Sequence, residues 1–127
     1  MEHMEHERFE GDRTLMRIHI GEDHKYQGKA LYHAIIELLR HEGFYGATVL
    51  RGVAGFGGHH HYHTGNILRL AYDLPIIIEV IDYAERIQKV IPRLDEMTDS
   101  GVITLEKVHV ILYRRHETAA ATDVKSK

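Results

Sequence analysis

The hydrophobic pattern predicts one α+β domain whose elements follow the order β-α-β-β-α-β, an antiparallel four-stranded sheet with two helices on one face. Three observations carry this. The chain has 127 residues, room for a single core. Its apolar period switches between two and about 3.6 residues in that order. Glycine-rich or polar breaks separate the periodic segments.

Residues 15–20 alternate, with Met16, Ile18 and Ile20 on one face and Leu15, Arg17 and His19 on the other, as a half-buried strand requires. After the polar GEDHKYQG, residues 29–42 place Leu31, Ala34, Ile35, Leu38 and Leu39 on one helical stripe, and Gly43 is the expected stop. Residues 45–54 are β-rich. Residues 74–82 form a second strong strand, with Pro75 at its first position, where no ladder N–H is needed. Ile87, Val90, Ile91 and Leu94 return to helical spacing over residues 83–97, and Pro92 predicts a break near residues 90–92. Residues 101–113 read as the last strand. This order is the ferredoxin-like one. The charged residues 1–13 and the small, polar residues 116–127 are expected to be disordered, leaving 14–115 as the domain.

Ile76, Ile77, Ile78, Val80 and Ile81 are nearly continuous, whereas a sheet covered on one side should alternate. With only two helices available, the second cover predicted is another copy of the chain, packed sheet face to sheet face.

Composition narrows the chemistry. The absence of Cys removes disulfides, thiolate catalysis and Cys-based metal sites, and with two Ser in the chain serine nucleophiles have little support. No carboxylate pair has a spacing that forces acid–base work, so no catalytic residue is assigned and the protein is expected not to be an enzyme. The formal charge of -3 holds only while the 12 His are neutral. Protonating half of them near pH 6.5 would bring it to about +3, so composition supports neither a nucleic-acid nor a membrane-surface role. No apolar stretch approaches the roughly 18 residues of a membrane span, and the first residues lack a signal-peptide core, which predicts a cytoplasmic protein.

The segment between the second and third strands, residues 52–72, is long for a connection in a compact domain and is expected to be functional or mobile. Its glycines suit either close backbone approach to a ligand or plain turns. His59, His61 and His63 share a side of an extended chain and are candidate ligands for a divalent metal. No Cys or placed carboxylate completes a tetrahedral set, so full coordination would require symmetry-related loops. The other reading is a solvated loop that takes metal adventitiously.

The combination IHIGEDHKYQGKALYHAIIELL, YGATVLRGVAGFG, ILRLAYDLPIIIEVID and IPRLDEMTDSGVITLEKVHVILY resembles the PII-like signalling superfamily, in the branch described only as an uncharacterised domain. The resemblance implies a homotrimer that is not an enzyme, binds an adenine nucleotide in clefts between subunits and signals through the long loop to a regulated partner, such as a transporter. By position it implies a ligand site of Arg51, Gly52, Gly55, Phe56 and Gly57 at the loop base, Arg69 on its return, and Gly101, Tyr113 and Arg114 on the opposite wall. The Gly21-Glu22 turn is family-like without an assigned role. The glycine and lysine cluster that grips ATP phosphates in nitrogen-regulatory PII proteins is not evident in TDSGVITLEK, so AMP or ADP is implied at least as much as ATP. The alternative function is a metal-binding or metal-responsive trimer using the His-rich loop.

Overall fold

The computed structural model describes residues 6–57 and 73–116. The chain forms β1 (His6–Gly21), β2 (Lys25–Tyr26), β3 (Lys29–Ala30), α1 (Leu31–His41), β4 (Thr48–Arg51), β5 (Pro75–Asp82), α2 (Ala84–Met97) and β6 (Val102–His116). Four strands make one sheet in the order β4-β5-β1-β6, with β1 and β4 both antiparallel to β5. This is the ferredoxin-like arrangement. The polar GEDHKYQG segment, read as a plain break, contributes to a small ribbon of β2 and β3.

The chain divides into two units, residues 14–106 and a second made of 1–13 with 107–127. In the first, Met16, Ile18 and Ile20 of β1 and Ile76, Ile78 and Val80 of β5 meet Leu31, Ala34, Ile35 and Leu39 of α1 and Ile87, Val90, Leu94 and Met97 of α2. All six strand residues lie on one sheet face, so both helices cover that face. In the second unit, His109 Nδ1 lies 3.0 Å from Asp12 Oδ1. That contact holds the Asp12 carboxyl below its ordinary value.

Residues 6–13, expected as a disordered arm, continue β1 outward, and β6 likewise runs on to His116. A polar segment can do this because strand pairing is satisfied by backbone groups and needs no apolar period. The expected break in the second helix is also absent, since α2 is continuous through Pro92. Pro92 sits on the exposed face, as does Gln88, whose carbonyl loses its helical partner to the proline ring. That carbonyl is on the side where water can take the bond.

The first helix stops where glycine predicts. Gly43 has φ +86°, and the amides of Gly43 and Phe44 donate to Arg40 and Leu39 carbonyls at 3.1 Å each, a Schellman closure. Arg86 of α2 adds to this end by donating to the Gly43 carbonyl and standing 5.2 Å over the Phe44 ring. Its Nε also forms an ion pair at 3.0 Å with Oδ1 of Asp82, the buried carboxylate at the end of β5.

Burial along β5 alternates throughout, although its sequence does not. Ile77 and Ile81 share the face away from the helices with Leu15, Arg17 and His19 of β1, and Ile81 keeps 48% of its surface exposed. Across this face runs an ionic row, in which Arg17 donates to Glu79 at 2.9 Å and to Glu106 at 3.0 Å.

Candidate ligand cleft at the foot of the long loop

The helix-free face of the sheet carries a cleft of about 600 Å³ at one end, lined by residues from β1, β5, β6 and the turns between them. Strand alternation decides which side chains reach it. His19 follows Arg17 by two residues on β1, so it faces away from the helices, with Ile77 as its partner on β5. Pro75 opens β5 on the same face. Thr104 and Val102 line the wall contributed by β6, in phase with Glu106.

Glycines allow these walls to approach. A Cβ on Gly101 would lie 2.7 Å from the His19 carbonyl oxygen, so only glycine lets the start of β6 come this close to β1. Gly52 and Gly55 would each place a Cβ 2.9 Å from Pro75 Cγ, and the Gly52 amide donates to the Pro75 carbonyl at 2.8 Å. The outgoing stem of the loop therefore lies flat against the proline ring. Beyond it, Phe56 and Gly57 reach the cleft.

The turn after β1 closes the remaining side. Glu22 N–H donates to the Leu74 carbonyl at 2.8 Å, His24 N–H to the Gly21 carbonyl at 3.3 Å, and Asp23 N–H to Asp73 Oδ1 at 3.4 Å. His24 and Asp73 crowd the same point, since a Cβ on Gly21 would stand 2.6 Å from Asp73 Oδ1 and 3.0 Å from His24 Nε2. Partial burial, and then the hydrogen bond and negative charge of Asp73, push the Asp23 carboxyl up from its ordinary value.

The lining mixes an apolar surface from Phe56, Pro75, Ile20 and Val102 with the polar groups of His19, His24, Ser100, Thr104 and Asp73. Among the described lining residues there is no Lys or Arg. Such a cleft suits a planar organic ligand with hydroxyl or amine groups, with cationic help supplied from its edge.

Of the residues assigned by resemblance, Phe56, Gly57 and Gly101 line the cleft, while Gly52 and Gly55 support it from behind Pro75. Arg51 is not in the lining; its guanidinium pairs with Glu22. Tyr113 and Arg114 belong to the outer half of β6, in the other unit. Arg69, His59, His61 and His63 lie outside the described residues. Among the described residues, no group of three or more His, Cys, Asp or Glu side chains is arranged to hold a metal. Sequence reasoning missed His24, Asp73 and Thr104. A signal existed in part, because the Gly21-Glu22 turn and the Asp-Leu-Pro entry to β5 were both conspicuous.

The sheet order, with a long connection leaving β4 and a glycine-lined cleft at its foot, defines a ferredoxin-like α+β protein with a ligand-sized cleft. Comparison with solved structures agrees at the level of the fold. A PII-like signalling protein from Thermus thermophilus superposes with a TM-score of 0.57 at 18% identity, covering 80% of this chain and 92% of that one. CPII from Thiomonas intermedia K12, bound to ADP and bicarbonate, superposes with a TM-score of 0.51 at 20% identity over 82% and 91% of the two chains. A second CPII structure, of a nitrogen regulatory PII-like protein bound to ADP, AMP and bicarbonate, gives 0.50.

The chain belongs to the family DUF190, described as an uncharacterised ACR, whose model matches residues 13–110. A UPF0166 protein of Methanocaldococcus jannaschii is 36% identical over 99 residues, 76% of this chain and 89% of the relative. A UPF0166 protein of Aquifex aeolicus is 34% identical over 99 residues, 78% and 93% of the two chains.

Proposed function

We propose that this protein is a PII-like regulator that binds an adenine nucleotide, AMP or ADP at least as readily as ATP, in clefts between the subunits of a homotrimer. The long loop 52–72 then presents the bound state to a partner protein, a transporter being one candidate. The observation that carries this is the position of the cleft. It opens on the helix-free sheet face, where Leu50, Ile81 and Val102 are also exposed, so a second copy packed on that face would border the cleft. The nucleotide bound to CPII supports the ligand class. The shortage of cations among the described lining residues favours fewer phosphates. The reading is regulatory rather than catalytic. No described helix is long and apolar enough to cross a membrane.

Calorimetry with AMP, ADP and ATP on the full chain tests it. Binding below millimolar is expected, with a loss of about tenfold in Phe56→Ala if that ring stacks on the base. No binding of any of the three below millimolar would end the nucleotide reading.

A further inference from the structure

Among the described residues that line the cleft, Asp73 carries the only carboxyl group, and no Lys or Arg of the lining stands against it. It precedes Pro75 on the β5 side of the cleft, while Val102 and Thr104 form the β6 side and His19 of β1 lies between. The turn after β1 holds it in place. The Asp23 N–H donates to Asp73 Oδ1 at 3.4 Å, and this oxygen is 2.6 Å from the point that a Cβ on Gly21 would occupy. His24 Nε2 is 3.0 Å from the same point, its ring anchored by the Gly21 N–H, which donates to Nδ1 at 3.4 Å. The charge of Asp73 reaches its neighbour, since it helps to push the Asp23 carboxyl up from its ordinary value.

We infer that Asp73 selects the base, accepting a hydrogen bond from the exocyclic amine of an adenine ring seated in the cleft. This rests on the adenine-nucleotide reading of the cleft. The apolar surfaces of Phe56, Pro75 and Val102 cannot make the selection, because every base has a π-face to lay against them. An ionised carboxylate can, because it only accepts. A ring amine gives it a charge-assisted hydrogen bond. The carbonyl oxygen that a 6-oxopurine carries at the same place turns lone pairs toward the negative charge and is rejected.

One consequence concerns orientation. A phosphate meets the same repulsion from Asp73, so the nucleotide lies with its base toward the β5 side and its phosphates directed away from it.

Calorimetry of AMP and inosine monophosphate, which has a ring carbonyl in place of the amine, tests this on the full chain as wild type, Asp73→Asn and Asp73→Ala, with folding checked by circular dichroism. The asparagine keeps an Oδ1 acceptor for the Asp23 N–H but adds a donor, so it accommodates either ring. The wild type is expected to bind AMP about tenfold more tightly than inosine monophosphate, and both variants to bring the two ligands within about twofold of each other. Equal affinities in the wild type, a preference for AMP that survives in a folded variant, or loss of both ligands from a folded variant would overturn the inference. The last of these would make Asp73 a support of the cleft wall that does not read the base. Failure of the wild type to bind AMP, ADP or ATP below millimolar would instead remove the nucleotide reading, and the inference with it.

Discussion

At the scale of single residues, the cleft is built by close approaches that glycine permits and by ionisable groups brought together by a turn. Gly21 and Gly101 carry no side chain where His24, Asp73 and the His19 carbonyl come in. Asp23 shows the electrostatic side of this crowding. Its folded pKa is raised from the ordinary 3.8, first by burial and then by Asp73, so the folded state holds that proton more tightly than the unfolded chain does. The associated stability is present at low pH and is lost as pH rises through the folded value, above which ionised Asp23 disfavours folding. Asp23→Asn, uncharged throughout, is therefore expected to match the wild type in Tm at about pH 3 and to exceed it progressively at higher pH. Thermal denaturation across a pH series checks this, and a gap that closes with rising pH would show that the fold instead favours the ionised carboxylate.

At the scale of elements, the two helices illustrate how a local rule and its setting combine. Gly43 ends α1 because positive φ and the two closing hydrogen bonds agree with the sequence. Pro92 does not end α2, because burial of Ile87, Val90, Leu94 and Met97 continues on both sides of it. The missing hydrogen bond is a local cost that the buried stripe offsets. Pro92→Ala restores an N–H for the Gln88 carbonyl and is expected to raise stability by about 1–2 kcal/mol, the unfolded chain's gain in freedom taking back part of the benefit. Urea denaturation measures it. Unchanged or lower stability would mean that proline contributes something to this helix beyond what its backbone explains.

At the scale of the molecule, the sheet has a face covered by helices and a face marked by an ionic row among apolar residues. Arg17 with Glu79 and Glu106 crosses it, and Leu50 and Ile77 lie paired on one side of that row while Leu15 and Ile81 lie on the other. In the proposed homotrimer these residues pack against another copy. Sedimentation of the wild type is expected to give a trimer. Ile81→Glu, a charge on a position already 48% exposed in the single chain, should give monomers with unchanged circular dichroism. A wild-type monomer, or a trimer that survives the substitution, would remove sheet-face packing from the proposal.

The amino-acid sequence by itself determined the order of the core elements, the helix-facing residues of β1, α1 and α2, and the stop at Gly43. Each of these depends on neighbours within a turn or two, which a period of two or 3.6 reports directly. It also marked the loop base, through Phe56, Gly57 and the glycines that meet Pro75. Only the tertiary structure decided that His19, His24, Asp73 and Thr104 share a cleft, that Pro92 lies inside a continuous helix, and that Arg51 is held by Glu22. Those outcomes depend on strand register and on contacts between residues far apart in the chain. Glu22 and Arg51 are 29 positions apart, and nothing in either local pattern reports the pairing that β5 and its flanking turns bring about.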